Sequence, residues 1–144
     1  MSSDAVSALY TAVAHATGDG RNGHVRTDDG LVDVDVRVPE ELGGTGGATN
    51  PEQLFAAGYA ACFHSALKFA ALGDRVDIRD SEVSASVGIG VLASGGFGLT
   101  VELDVYLPSL DASAARALVD RAHATCPYSN ATRGNIDVAL SLVA

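Results

Sequence analysis

Cys62 and Cys126 are the only thiols in a chain of 144 residues, and Met1 holds the one other sulfur. Such a pair can be two inert buried side chains, a fragment of a metal site, or a redox couple. In a reducing compartment a structural disulfide is a poor explanation for it. Redox chemistry requires the thiolate, and an apolar pocket pushes a thiol the other way, so a nearby cation decides the matter. Nine Lys and Arg are available in all. Lys68 lies six residues beyond Cys62, about 600° of helical rotation and therefore on the wrong face. Arg21, inside the glycine-rich GDGRNGH, and Arg133, in the loop after Cys126, are better placed along the chain. Judged by its neighbours alone, Arg21 reads as a solvated hairpin tip. An arginine laid over a thiolate also needs orienting, and a carboxylate can grip its fork bidentately.

Two other chemistries are weakly supported. His123 and Cys126 share a helical face at i, i+3, but no paired Cys-x-x-Cys or His-x-x-His knuckle accompanies them, so no metal site is expected. His64, two residues beyond Cys62, points elsewhere. Gly43-Gly44-Thr45-Gly46-Gly47 precedes a helix but lacks the Gly-Lys-Ser/Thr ending of a phosphate loop, and reads better as a flexible approach to that helix. Asn130-Ala131-Thr132 is a glycosylation triplet by spelling only, and matters only after export.

The elements that must position the cysteines are legible as patterns. A helix is predicted from Pro51 to about Leu72, with Gly73 as its stop: Asn50 can cap it, Pro51 suits the first position, Glu52 sits in the first turn and Gln53 completes a capping box. From residue 54 to 67 it reads LFAAGYAACFHSAL, apolar or small almost all round. Such a helix must be buried on most sides, which one small chain can hardly achieve. An obligate dimer is therefore expected, with Gly58, Ala60 and Ala61 permitting close backbone approach. A second, amphipathic helix is predicted from about Asp111 to Thr125, with Ala115, Leu118 and Ala122 inward and Cys126 continuing the stripe before Pro127 ends it. Both thiols lie on apolar stripes facing one core, so they could meet. Strands are predicted at 31–38, where Val32, Val34, Val36 and Val38 alternate with Asp33, Asp35 and Arg37, and before it around 23–27 as a hairpin partner. A second hairpin joins Val83 to Val91 and Leu99 to Leu107 across Ser94-Gly95-Gly96. A last strand begins at Ile136, and residues 8–16 lean towards a strand. This is an α+β fold with mostly antiparallel sheet and one long buried helix, in a single domain over residues 1–144.

Composition narrows the function classes. Eighteen acidic against nine basic residues give a net charge of −9, with no Lys/Arg cluster, so no nucleic acid or anionic membrane surface is an expected partner. At 47% apolar and 19% charged residues the chain is no disordered one. No run approaches the ~20 apolar residues of a membrane span. MSSDAVSALY carries Asp4 and no basic run, so it does not read as a secretory signal, and a cytoplasmic protein is expected.

The blocks TNPEQLFAAGYAACF, at 49–63, and CPYSNATRGNID, at 126–137, resemble the two signature blocks of the OsmC/Ohr family, in its organic hydroperoxide resistance branch. ATGDGRNG, at 16–23, resembles that branch's first active-site loop, and ELGGTGGATNPE its approach to the helix. The likeness runs from Leu9 to the C-terminus. The osmotically induced branch departs at the PYSNATRGN run; Asp19 and His64 are small departures here that leave the cysteines untouched. The resemblance implies an intertwined homodimer acting as a thiol peroxidase that reduces organic hydroperoxides to alcohols. It implies Cys62 as the peroxidatic thiol, Cys126 as the resolving one, and Arg21 and Glu52 completing the site. No bound cofactor is implied; the reductant is a dihydrolipoyl group on a lipoylated partner protein. Glu52 and Cys62 are ten residues apart on one helix, about 15 Å, so Glu52 is expected to reach each site from the partner subunit. A broader-range OsmC-type peroxidase, and a non-catalytic dimer binding a lipid-like ligand, are the alternatives.

Overall fold

The computed structural model describes residues 5–143, so Asp4 lies outside the described residues. The described chain divides into two compact units, the first ending at Pro51 and the second starting at Glu52.

The first unit is a three-stranded antiparallel sheet, β1 (Ala14–Asp19), β2 (Asn22–Thr27) and β3 (Asp33–Asp35), in the order β1-β2-β3. The strand expected at 8–16 begins only at Ala14. Gly18 pairs with Gly23 and Asp19 with Asn22, so Gly20 and Arg21 form the tip of the β1–β2 hairpin. Gly23 is required there: a Cβ would stand 2.1 Å from the Thr17 carbonyl oxygen. The pairing of β2 with β3 is the hairpin the sequence predicted, with Arg26 opposite Asp33 and Val25 opposite Val34. The predicted 31–38 strand is cut to three residues. Beyond Asp35 the Val36 N–H still donates to the Gly23 carbonyl of β2 at 3.0 Å, but the regular ladder ends: Val36 also bridges to Thr49, and the Arg37 N–H donates to the Thr49 carbonyl. The glycine-rich run is a hydrogen-bonded turn. After a 3-10 turn at Glu40–Leu42, the Gly44 N–H returns to Pro39 O and the Gly46 N–H to Val38 O.

The second unit contains α1 (Pro51–Asp74) from its second residue on, β4 (Glu82–Val91), β5 (Phe97–Tyr106), α2 (Ala112–Thr125), α3 (Pro127–Thr132) and β6 (Ala139–Val143). β4 and β5 form the expected antiparallel hairpin; β6 lies parallel to β5, because the chain returns through α2 and α3 as a crossover. The fold is thus α+β, with one antiparallel and one mixed sheet. Tyr59, Phe63, Leu67 and Ala71, spaced by four along α1, form one buried line. They share a core with Val101, Leu103 and Val105 of β5 and with Ala115, Leu118, Val119 and Ala122 of α2.

One expectation about the helices is corrected. Gly73 does not stop α1; the helix runs on to Asp74, whose carboxylate the Arg121 guanidinium holds at 2.5 Å, and Arg75 takes the left-handed exit at φ 59°. Pro127 does end α2, but it also starts α3, at the first-turn position where proline's missing N–H costs nothing. The burial of α1 on most sides is not met within one chain: Phe69 and Leu72 are 77% and 76% exposed. Asp111 caps α2 as its position suggests, accepting from the Ala114 N–H at 2.8 Å.

Candidate active site

The second unit brings the two cysteines together. Cys62 comes from the middle of α1 and Cys126 from the joint between α2 and α3; both are free thiols, and the Cys126 Sγ–H points to the Cys62 Sγ at 3.5 Å. Closing to a disulfide needs the sulfurs to approach by about 1.5 Å. Cys126 is fully buried and Cys62 partly so. Burial pushes the Cys62 thiol above its ordinary pKa, the neighbouring Cys126 adds to this, and the nearby Tyr128 backbone N–H opposes both. A thiol in this setting is a weak nucleophile at neutral pH until a positive charge is supplied.

Around the sulfurs is a seat that the sequence reading did not identify. The Tyr128 ring stacks edge-on to Tyr59, with centroids 5.7 Å apart, and lies 6.1 Å from Phe55. It fits because Gly58 has no side chain: a Cβ there would be 3.0 Å from the Tyr128 Oη. Gly58 thus makes room for a side chain of its own unit. Below the rings the hydroxyls form a buried chain. Ser129 Oγ lies 2.8 Å from Tyr59 Oη and 2.8 Å from His123 Nδ1, Tyr59 Oη lies 3.3 Å from Thr132 Oγ1, and the Thr132 hydroxyl donates to the Ser129 carbonyl at 3.2 Å. Among the described residues no buried side-chain nitrogen or oxygen lacks a partner. Proline at position 127, with Ser129 and Thr132 one turn apart behind it, was the signal available for this turn of helix.

The other candidates separate. Arg133 donates to the His123 carbonyl and to Asn130 Oδ1, both at 2.6 Å, so it fastens α3 to the end of α2. Lys68 donates to the Ile78 carbonyl and His64 bonds Ser81, away from the sulfurs as expected. His123 gives its Nδ1 to Ser129; burial and the Arg133 charge lower its pKa. Among the described residues no three metal-ligating side chains converge. Arg21 sits at the β1–β2 tip in the first unit, and Glu52 in the first turn of α1, each with interactions of its own.

Residues 44–141 match the family model for OsmC-like proteins, and the chain belongs to that family. Within it the chain falls on the organic hydroperoxide resistance branch. It is 54% identical over 136 residues to the organic hydroperoxide resistance protein of Xanthomonas axonopodis pv. citri, covering 93% of this chain and 94% of that one. A crystal structure of an organic hydroperoxide resistance protein from Legionella pneumophila superposes with a TM-score of 0.91 at 51% identity, covering 96% of this chain and all of that one. The OhrB protein of Bacillus subtilis superposes at 0.85 with 50% identity, over 94% of this chain and 100% of that one. No helix among the described residues is long and apolar enough to cross a membrane.

Proposed function

We propose that this protein is a thiol peroxidase that reduces organic hydroperoxides to alcohols, with Cys62 as the attacking thiol and Cys126 as the resolving one. The observation that carries it is the pair of free sulfurs 3.5 Å apart, one partly accessible and one buried. Its relatives' names, organic hydroperoxide resistance proteins, supply the substrate class. The Cys62 thiolate attacks the distal peroxide oxygen; the O–O bond breaks, the alkoxide leaves and takes a proton, and Cys62 becomes a sulfenic acid. Cys126 then displaces that hydroxyl, which leaves as water while the disulfide forms. A dihydrolipoyl group on a lipoylated partner protein reduces the disulfide by thiol exchange. The apolar rings of Phe55 and Tyr128, one partly accessible and one exposed above the fully buried Tyr59, suit an alkyl or fatty-acyl chain better than hydrogen peroxide.

The buried thiol needs its cation, and Arg21 is proposed to supply it, held by a carboxylate, Glu52. On an unbroken α1 Glu52 stands about 15 Å from Cys62 of the same chain, so the partner subunit's copy is proposed to complete each site. An intertwined homodimer, each chain acting as one domain, would also cover the exposed apolar flank of α1 at Phe69 and Leu72. The test is steady-state reduction of an alkyl hydroperoxide, with dihydrolipoamide compared against other thiols. Wild-type protein is expected to turn over with dihydrolipoamide, Cys62→Ser to lose activity by at least about 10³-fold, and Arg21→Ala to need a higher pH for the same rate. Ligand retention without turnover in the wild type would identify a lipid-like binder instead. Equal efficiency on hydrogen peroxide would identify a broader OsmC-type enzyme.

A further inference from the structure

The hydroxyl chain beneath the sulfurs has only one consistent direction. Each hydroxyl has a single proton to give. Thr132 spends its proton on the Ser129 carbonyl, which can only accept. The Tyr59–Thr132 contact must then be a bond given by Tyr59, and the Tyr59–Ser129 contact one given by Ser129. The Ser129–His123 bond is left to be given by the His123 Nδ1–H. All four bonds are satisfied at once, running from α2 through α3 to α1 and back into α3. Ser129 and Tyr59 are fully buried, so each bond is made in a dry setting where losing it is costly.

Resting on the peroxidase reading, we infer that Ser129 and Tyr59 are positioning residues for the resolving step, through the chain His123–Ser129–Tyr59–Thr132. The helix α3 has six residues, too few to hold itself. Cys126 stands at its threshold in an extended conformation, φ −62° and ψ 124°, with its direction set by where α3 lies. The Asn130 N–H bonds the Cys126 carbonyl, and Ser129, one residue earlier, ties the same turn to α1 and α2. Fixing α3 therefore aims the Cys126 thiol at the Cys62 sulfenic acid. Two fates compete for that acid. Attack by Cys126 breaks the sulfur–oxygen bond, forms the disulfide and releases water. Attack on a second hydroperoxide adds another oxygen to Cys62, gives the sulfinic acid and releases a second alcohol. A loosened α3 slows the first and leaves the second alone.

The experiment follows reduced, full-length protein mixed with excess alkyl hydroperoxide, for wild type, Ser129→Ala and Tyr59→Phe. Loss of the Cys62 thiol, disulfide and sulfinic acid are quantified over time by rapid quench and mass spectrometry. Tyr59→Phe keeps the ring packed and removes only the hydroxyl, so it decides the question if Ser129→Ala does not fold. The expected result is an unchanged rate of Cys62 oxidation with disulfide formation slowed about 10- to 100-fold and a matching rise in sulfinic acid. A general loosening of the fold would slow Cys62 oxidation as well, and that result overturns the inference. So does a disulfide-to-sulfinic ratio equal to wild type in the folded variants. A wild type that forms no Cys62–Cys126 disulfide overturns the peroxidase reading, and the inference with it; a wild type that forms it beside indifferent variants overturns the inference alone.

Discussion

On β2 of the first unit, His24 stands between Asp35 and Asp33, its Nδ1 2.8 Å from Asp35 and its Nε2 bonded to Asp33, and these bonds raise its pKa. At the end of α2 in the second unit, His123 stands against Ser129 and beneath Arg133, and burial with that positive charge lowers its pKa. The first ring is held by charges in the open and favours the imidazolium. The second bonds a single neutral hydroxyl in a partly buried helical seam and disfavours the imidazolium. What separates them is the price of charge, small on an open sheet and large in a packed helical joint. The same burial that lowers the pKa of His123 raises that of the Cys62 thiol.

If the second unit's seam is truly close-packed, Phe63→Ala should show the largest loss of stability in denaturant unfolding, about 3–5 kcal/mol for a fully buried ring. A loss below about 1 kcal/mol would make the seam as loose as an open surface. Packing can also be probed along α1 with two glycines. Gly58→Val should cost about 1–3 kcal/mol by overpacking against the Tyr128 ring, whereas Gly73→Ala, with nothing within 4 Å of the new Cβ, should gain about 0.5–1 kcal/mol. Equal effects at both positions would contradict the Tyr128 seat. The smallest effect separates the histidines by pH. The raised pKa of His24 contributes stability that is full below the ordinary histidine value and lost as pH rises through the folded one. His24→Asn should therefore lower the melting temperature in mild acid and leave it unchanged in alkali. The lowered pKa of His123 acts oppositely, its contribution present above the ordinary value and lost as pH falls towards the folded one. A pH-independent difference for His24→Asn would show that the carboxylates do not hold the ring in solution.

The legibility of the sequence followed the length of each pattern. The β4–β5 hairpin and the extent of α1 were plain because ten alternating residues and a long capped apolar run leave little freedom. The cysteines stood out because there are only two and each lies on an apolar stripe. The short strand at Asp33–Asp35 was overestimated, since alternation cannot show that from Val36 onward the chain takes up Thr49 as a further partner. The parallel placing of β6 depends on the crossover through α3, a helix too short to announce itself except by Pro127. The hydroxyl chain was hidden for another reason. Tyr59, Ser129, Thr132 and His123 come from three helices, and no spacing along the chain reveals that their polar ends converge.

The central claim is that Cys62 and Cys126 are the two halves of one redox couple. Its most direct measurement is a thiol titration of fully reduced protein after one equivalent of alkyl hydroperoxide per chain, with peptide mapping of the product. The account predicts that both thiols disappear together, one equivalent of alcohol forms, and the two cysteines are recovered in a single disulfide-linked peptide pair. Retention of both thiols, or loss of Cys62 alone to a higher oxide with Cys126 still free, would contradict it.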